Sequence, residues 1–461
     1  DVLSLNLDWG FAPAISLVRV LMFLILIGVL GPVAKSEAAW TKVQPVAGSP
    51  EKIVSFDSAV GDDGYAVMAF VRKSQTRPFV GSVWVRVKEA GQVRFSEPRY
   101  RGSTSSDFLA VEIGRTGLTL LAYPDSDGDL HIQQRWPTGN WKVEPSLTGA
   151  DSDGAKISIG RDNTAVATEL NFVGDNDPAN EVRVAVRDPD TGKFGPWRVI
   201  STDPATVGFR SSTVVGTKGR ATIVWADACS PGSSVEARWV DVDHDSFTEP
   251  TPIENAGCVA WDIDLQQDGF GNQYLRLGLL TGVQMATRRP GQGFSKATRV
   301  TTLKDLGDGG YLSVSPSGLA TLIWGRNSGG NGLRTEYRYV TSWKGSAPTA
   351  SQKIEGPVVI PRGHTDFLRS VAPLPHGKVA MLFIHGWTTK KGWPIQRLGS
   401  TAWKPGTKFK RPRFEVAARK GRDFYPVGIE TSHDGSRLAW WHIEGGQRAR
   451  TIGWWWKGLF R

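Results

Sequence analysis

Gly64-Tyr-Ala-Val-Met-Ala-Phe70 is a turn glycine followed by a short apolar run that ends on an aromatic ring, and the same phrase returns along the chain. It recurs as Gly117-Leu-Thr-Leu-Leu-Ala-Tyr123, Asn163-Thr-Ala-Val-Ala, Gly219-Arg-Ala-Thr-Ile-Val-Trp225, Gly271-Asn-Gln-Tyr274, Gly318-Leu-Ala-Thr-Leu-Ile-Trp324, Gly377-Lys-Val-Ala-Met-Leu-Phe383 and Gly435-Ser-Arg-Leu-Ala-Trp440. Successive copies are 53, 46, 56, 52, 47, 59 and 58 residues apart. A second strand of strict alternation follows each turn strand. Val83, Val85 and Val87 share one face against Trp84, Arg86 and Lys88, and Val182, Val184 and Val186 oppose Arg183, Ala185 and Arg187. Period two with one apolar face predicts half-buried strands.

A third element closes each unit: an aromatic residue followed three positions later by Pro or its equivalent, as in Phe95 to Pro98, Phe194 to Trp197, Phe247 to Pro250, Phe294 to Ala297 and Phe409 to Pro412, with Trp141 to Pro145 one residue longer. Proline lacks an amide hydrogen, so it belongs on an edge strand. Units of this length and strand content are propeller blades. Trp40-Thr-Lys-Val-Gln-Pro45 reads like the closing element, whereas the last unit, from Val427 through Trp456, has none after it. The expectation is therefore an all-β chain forming a single β-propeller of eight four-stranded blades, seven being the runner-up, closed by an N-terminal strand that completes the last blade.

Composition agrees with this reading. The 461 residues are about three times a usual domain length, so the chain holds several domains or one repetitive one. With 53 Gly, 27 Pro, 19 Trp and 19 Phe against 4 Met, it is poor in helix formers and rich in turn and strand residues. At 40% hydrophobic and 22% charged it is neither disordered nor a polytopic membrane protein.

Residues 1–38 are expected to be a signal peptide with an uncertain upstream start, and 39–461 the propeller. Val20 to Ala34 is uncharged between Arg19 and Lys35, and Ser36-Glu37-Ala38 supplies small residues for a cut before Ala39. Asp1 and Asp8 suit an n-region poorly, which places the start near Val18 or Met22; an uncleaved anchor is the alternative and the one expected route to membrane contact. Export to a secreted or cell-surface, extracytoplasmic location follows. The two cysteines, Cys229 and Cys258, are expected to pair in that compartment, closing a loop of about 28 residues worth about 3 kcal/mol; two separate buried thiols are the other option.

The turn strings Ser315-Pro316-Ser317-Gly318 and Ser432-His433-Asp434-Gly435 resemble the Ser-Pro-Asp-Gly turns of TolB-like and WD40-like propellers. The aromatic-to-Pro closers resemble the repeats of secreted bacterial propellers related to sialidases. The resemblance spans nearly the whole mature chain at the level of the repeat and implies a fold; enzymes, lectins and scaffolds share it. A sialidase-like glycoside hydrolase is the enzymatic alternative it raises. That family's Asp box, Ser-x-Asp-x-Gly-x-Thr-Trp, is approached by Ser432-His433-Asp434-Gly435 with Gly one position early, and no catalytic residue can be assigned.

Other motifs are absent: no Gly-x-Ser-x-Gly elbow, no His-Glu-x-x-His, and neither Gly192-Lys193 nor Gly377-Lys378 is followed by Ser or Thr. Gly269-Phe-Gly271 starts a dinucleotide fingerprint, but Tyr274 stands where its last Gly belongs. Asp125-Ser-Asp127-Gly-Asp129 and Asp241-Val-Asp243-His-Asp245 lack the later Glu of a calcium loop and read as hairpin turns. No metal and no cofactor are expected.

The whole chain carries net +10, yet residues 390–461 hold 16 Lys and Arg against 5 Asp and Glu. All the basicity thus belongs to the last two units, densest at Lys404, Lys408, Lys410, Arg411, Arg413, Arg419, Lys420 and Arg422. Such a patch attracts polyanions and releases them with salt. The expected role is an exported binding or scaffold protein, a monomer, that recognises an extracellular anionic polymer, glycan or protein. Nucleic acid is not an expected partner, because no aromatic-basic module accompanies the patch.

Overall fold

The computed structural model describes residues 44–45 and 53–457, apart from 74–79, 93, 107, 126, 149–154, 161, 173–179, 202–206, 217–218, 228–236, 244–245, 280, 303–307, 328–334, 355–363, 389–393, 411–412, 418–422, 432–436 and 445–451. The architecture is all-β and propeller-like. Among the described residues there are eight four-stranded antiparallel sheets. Sheet 1 holds Ile53–Val60, Ala66–Lys73, Gly81–Lys88 and Arg99–Thr104; sheet 2, Ala110–Ile113, Thr119–Pro124, Leu130–Arg135 and Lys142–Val143. Sheet 3 holds Lys156–Ile159, Ala165–Phe172, Asn180–Arg187 and Arg198–Val199; sheet 4, Val207–Val215, Ala221–Asp227, Ala237–Val242 and Thr251–Pro252. Sheet 5 holds Val259–Gln267, Gln273–Leu279, Gly282–Arg288 and Thr298–Thr302; sheet 6, Asp308–Val314, Leu319–Asn327, Thr335–Trp343 and Gln352–Lys353. Sheet 7 holds His364–Leu374, Lys378–Thr388, Pro394–Trp403 and Arg413–Ala417; sheet 8, Asp423–Thr431, Arg437–Glu444, Ile452–Lys457 and, beside the last of these, Gln44–Pro45.

Within each sheet the strands lie in the order in which they leave the first. First strands of consecutive sheets pack against one another, and that of sheet 8 also touches that of sheet 1. The apolar core is a series of layers between sheets. Val67, Val71 and Val85 of sheet 1 meet Val111, Leu121 and Tyr123 of sheet 2, while Leu120, Ala122 and Ile132 on the other face of sheet 2 meet Ala165 and Ala167 of sheet 3. Second strands are therefore covered on both faces, which is why Ala66 to Val71 reads as one unbroken apolar run.

The same covering alters what the alternating third strands do. Their charged ends, Lys88, Arg135, Arg187 and Arg288, are buried. Each donates hydrogen bonds, Arg187 Nε being left without one among the described residues: Lys88 Nζ donates to the Gly64 carbonyl at 2.6 Å, Arg135 to Tyr65 Oη at 2.7 Å and Glu89 at 2.5 Å, Arg187 to the Asn163 carbonyl and to Gln134 Oε1. Arg288 is the most enclosed in partners. It grips both Asp241 oxygens at 2.7 and 2.5 Å, donates to Thr222, Gln273 and the Gln292 carbonyl, and lies 4.1 Å from the Trp239 ring centroid. A paired, fully bonded cation tolerates burial that an unpaired one would not.

In five sheets the aromatic-to-Pro elements lead into the fourth strands rather than forming them, whereas the fourth strands Lys142–Val143 and Gln44–Pro45 lie within the elements Trp141 to Pro145 and Trp40 to Pro45. Arg99, Arg198, Thr251, Thr298 and Arg413 each begin a fourth strand one residue after Pro98, Trp197, Pro250, Ala297 and Pro412.

Candidate functional site

The site grows from the turn between the first and second strands. Its last residue has positive φ in seven sheets: Gly64 78°, Gly117 86°, Asn163 67°, Gly219 71°, Gly271 85°, Gly318 96° and Gly377 68°. That left-handed geometry favours Gly or Asn, which is what made the repeat visible in sequence. In six of these turns the amide at the start donates to the carbonyl four residues on, as from Gly61 to Tyr65, Gly114 to Leu118 and Gly160 to Thr164.

The residue opening the turn is small because the next sheet lies against it. A Cβ on Gly61 would stand 3.0 Å from Ile113 Cγ2, one on Gly114 2.7 Å from Ile159 Cγ2, and one on Gly160 2.6 Å from Val215 Cγ1. Each turn thus seats the end of the following first strand. A first strand is the edge of its sheet, so its outer amides and carbonyls need partners. Neighbouring side chains supply them. Asp57 accepts from the Val111 amide at 2.7 Å, Lys156 and Ser158 donate to the carbonyls of Ser211 and Thr213, and Ser212 accepts from the Leu265 amide. Gln266 donates to the Leu312 carbonyl and accepts from the Val314 amide, Tyr311 donates to the Leu368 carbonyl, and Ser370 accepts from the Ile429 amide.

These turns surround a cavity of about 380 Å³ lined by Asp62, Glu112, Arg115, Ser158, Thr213 and Gln267 among others, the ends of the first strands of six sheets, Thr431 of sheet 8 included, meeting there with Pro316 of sheet 6. Glu112 stands two residues before its turn, the position at which Ser158 and Gln266 tether the next strand, yet among the described residues its carboxyl has no hydrogen-bond partner. Glu112 is exposed to the cavity; the protein packed around it removes part of its water and, with the Asp57 charge as a second cause, pushes the carboxyl up to about 8. Its access to cavity water tempers that shift. Burial pushes Asp57 up to about 7 against the two backbone amides, Val111 and Ser58, that favour its charged form.

Both carboxyls hold protons more tightly in the folded chain than in the unfolded one. Stability contributed here is greatest at low pH and falls as pH rises from about 4 through about 8, with no further loss above. Glu112→Gln is expected to flatten that slope: between pH 5.5 and pH 8.5 the melting temperature of the native chain falls more than that of the variant. Equal slopes for the two chains would show that Glu112 does not titrate in this range.

Of the basic residues singled out in the sequence, Lys404, Lys408 and Lys410 lie exposed on the turn between the third and fourth strands of sheet 7. Arg413 opens the fourth strand, paired with Ser400, and the chain leaves that strand at Ala417, opposite Arg397. Arg411, Arg419, Lys420 and Arg422 lie outside the described residues, as do Cys229, the Ser432 to Gly435 string and residues 1–38. The Asp-rich runs carry structural work: Asp125 Oδ1 accepts from the amides of Asp127 and Asp129, Asp243 Oδ1 accepts from the Ser246 amide and hydroxyl, and Asp241 holds Arg288. Asp57 and Glu112 carry no motif in the sequence; their one signal is a charged residue in a strand otherwise bound for the interior.

No protein-family model matches the chain, and no curated protein matches it in sequence. Among solved structures it is similar to the polysaccharide lyase Uly1 at 11% identity, covering 91% of this chain and 100% of that one with a TM-score of 0.46. It is similar to AofleA from Arthrobotrys oligospora at 10% identity, covering 68% and 87%, TM-score 0.35, and to a point variant of the NanB sialidase from Streptococcus pneumoniae at 8% identity, covering 91% and 70%, TM-score 0.34. At such distances no residue role passes from them to this chain.

Proposed function

We propose that this chain is an exported, monomeric β-propeller of eight blades that works as a binding or scaffold module, and that its ligand is an extracytoplasmic anionic polymer, glycan or protein. The observation that carries the binding role is the turn of sheet 7, where Lys404, Lys408 and Lys410 are all exposed and have no carboxylate partner among the described residues, within a segment of net +11. Unpaired surface cations retain their field for an incoming anion. The ring is supported by the contacts that run from each first strand to the next and from sheet 8 to sheet 1, and by the pairing of Gln44–Pro45 with Ile452–Lys457. Export is supported by the apolar segment from Val20 to Ala34, and a Cys229–Cys258 pair by the absence of a free thiol at Cys258.

Hydrolysis is the second reading, and Glu112 is what favours it: a carboxyl that keeps its proton near neutral pH in a polar cavity is what a general acid needs. Against it, both oxygens of the neighbouring Asp57 are engaged by backbone amides, and Arg115 is the one arginine among the described residues lining the cavity. Purified chain from residue 39 onward is expected to be retained on immobilised polygalacturonate at low salt and released as salt rises, while dextran does not retain it. Turnover of an aryl glycoside or sialoside that Glu112→Gln abolishes would instead establish the hydrolase, and passage through every charged matrix would remove the anion-binding role.

A further inference from the structure

The turns from the third strands into the fourth all share the face that carries the cavity. The opening residue is Glu89, Trp136, Asp188 and Asp243 in sheets 1 to 4, Arg289 in sheet 5 and Lys404 in sheet 7; in sheet 6 it is Trp343, whose carbonyl accepts from the Ser346 amide as those of Arg289 and Lys404 accept from Gln292 and Thr407, and Lys344 follows it in the turn. The acidic members are occupied. Glu89 binds Arg135, Asp188 accepts from the Asp190 amide and the Thr191 hydroxyl, and Asp243 caps Ser246. The three cations are exposed, with no carboxylate partner among the described residues.

These three turns are fastened to one another. The Gly345 amide donates to Tyr274 Oη at 3.0 Å, Thr287 donates to the Gly345 carbonyl, and a Cβ on Gly345 would stand 3.0 Å from Arg289 Cγ, so the turns of sheets 5 and 6 touch. The Gly406 amide donates to Tyr339 Oη at 3.1 Å, and Trp403 meets the Tyr339 ring edge-on at 4.8 Å, which ties the turn of sheet 7 to sheet 6. Beside the middle cation stand two exposed rings, Phe270 at 57% and Trp343 at 50% exposure, with the Lys344 ammonium 4.8 and 5.6 Å from their centroids.

We propose that Arg289, Lys344 and Lys404, with Phe270 and Trp343, form a track for an acidic polysaccharide running across the turns of sheets 5 to 7. The inference rests on the anion-binding role and names its surface and ligand class. Cations recurring from sheet to sheet, about 10 Å apart for face-packed sheets, suit a polymer whose charges also recur. Rings flanking a cation suit a uronate, whose apolar C–H face lies on the ring while its carboxylate meets the ammonium; an acidic peptide has no use for the exposed rings. Because the turns are locked, little ordering opposes binding.

The test measures binding of polygalacturonate oligomers and of poly-glutamate to three forms of the chain at two salt concentrations, with circular dichroism confirming that each form is folded. Arg289→Gln/Lys344→Gln/Lys404→Gln is expected to weaken polygalacturonate roughly ten- to a hundredfold and to reduce its salt dependence. Phe270→Ala is expected to weaken polygalacturonate while leaving poly-glutamate unchanged. A native chain that binds polygalacturonate as tightly as the triple variant overturns the track but not the anion-binding role, whereas a native chain that binds neither polymer overturns that role. Poly-glutamate bound as tightly as polygalacturonate, with both indifferent to Phe270→Ala, overturns the polysaccharide in favour of an acidic protein.

Discussion

Replacing Arg288 with Met is expected to lower unfolding stability by about 3–5 kcal/mol, the usual cost of removing one partner from a buried ion pair. Met keeps the apolar stem beside Trp239 and Phe294, so packing is largely retained. What is lost is the bidentate grip on Asp241 together with the bonds to Thr222 and Gln273. Asp241 is then left in a site built for a charge pair, and sheets 4 and 5 lose the charged part of their polar fastening, keeping the bonds from Gln273 to Thr222 and from Leu265 to Ser212. The measurement is the urea midpoint followed by tryptophan fluorescence and by far-ultraviolet dichroism together, since sheets in an array can open separately. Pairing Arg288→Met with Asp241→Asn removes the stranded charge and is expected to recover part of the loss. An unchanged midpoint in the single variant would mean that the cluster contributes nothing to holding the sheets.

Gly160→Leu is expected to cost about 1–3 kcal/mol by overpacking, or more if the turn cannot yield. The new Cβ would lie 2.6 Å from Val215 Cγ1 and 3.1 Å from the Gly216 carbonyl oxygen, so the end of sheet 4 has to move away from sheet 3. That movement stretches the bond from Ser158 to the Thr213 carbonyl. Faster amide exchange at Thr213 to Val215, with a lower melting temperature, is the expected signature. Gly195→Ala is the control: its nearest neighbour would be the Val186 carbonyl oxygen at 3.7 Å, an ordinary contact. Equal behaviour of the two variants would show that the turn glycines are not what spaces the sheets.

The fold was legible because its rarest backbone geometry and its commonest residue coincide. A left-handed residue at the close of each first turn demands Gly or Asn, and the covered strand after it demands an apolar run, so both mark the chain at one period. Sheet 5 shows where that marking fades. Gln273, Gln284 and Arg288 are buried there, and each is polar for a reason that lies outside the sheet, such as Asp241 for Arg288 or the Gly257 amide for Gln284. A periodicity of apolar residues cannot register a polar residue whose partner is 47 positions away. The same holds for the cavity. Asp57 meets Val111 across 54 residues, and only the packing of neighbouring sheets brings Glu112 near its charge. Charge was legible as a total and not as an arrangement: counting found the basic end of the chain, but Arg289 and Lys344 lie before residue 390 and stand with Lys404 only because their sheets follow one another and all three lie in turns between third and fourth strands.

The tethering of each first strand by side chains of its neighbour has a bearing on how such a molecule can change over generations. Because the backbone edges facing the centre are already occupied at Val111, Ser211, Thr213, Leu265 and Leu312, a visitor there is greeted mainly by whatever side chains stand beside them. The lining of the cavity can then drift one substitution at a time, at places such as Glu112 that fasten nothing, while the tethers keep the frame constant.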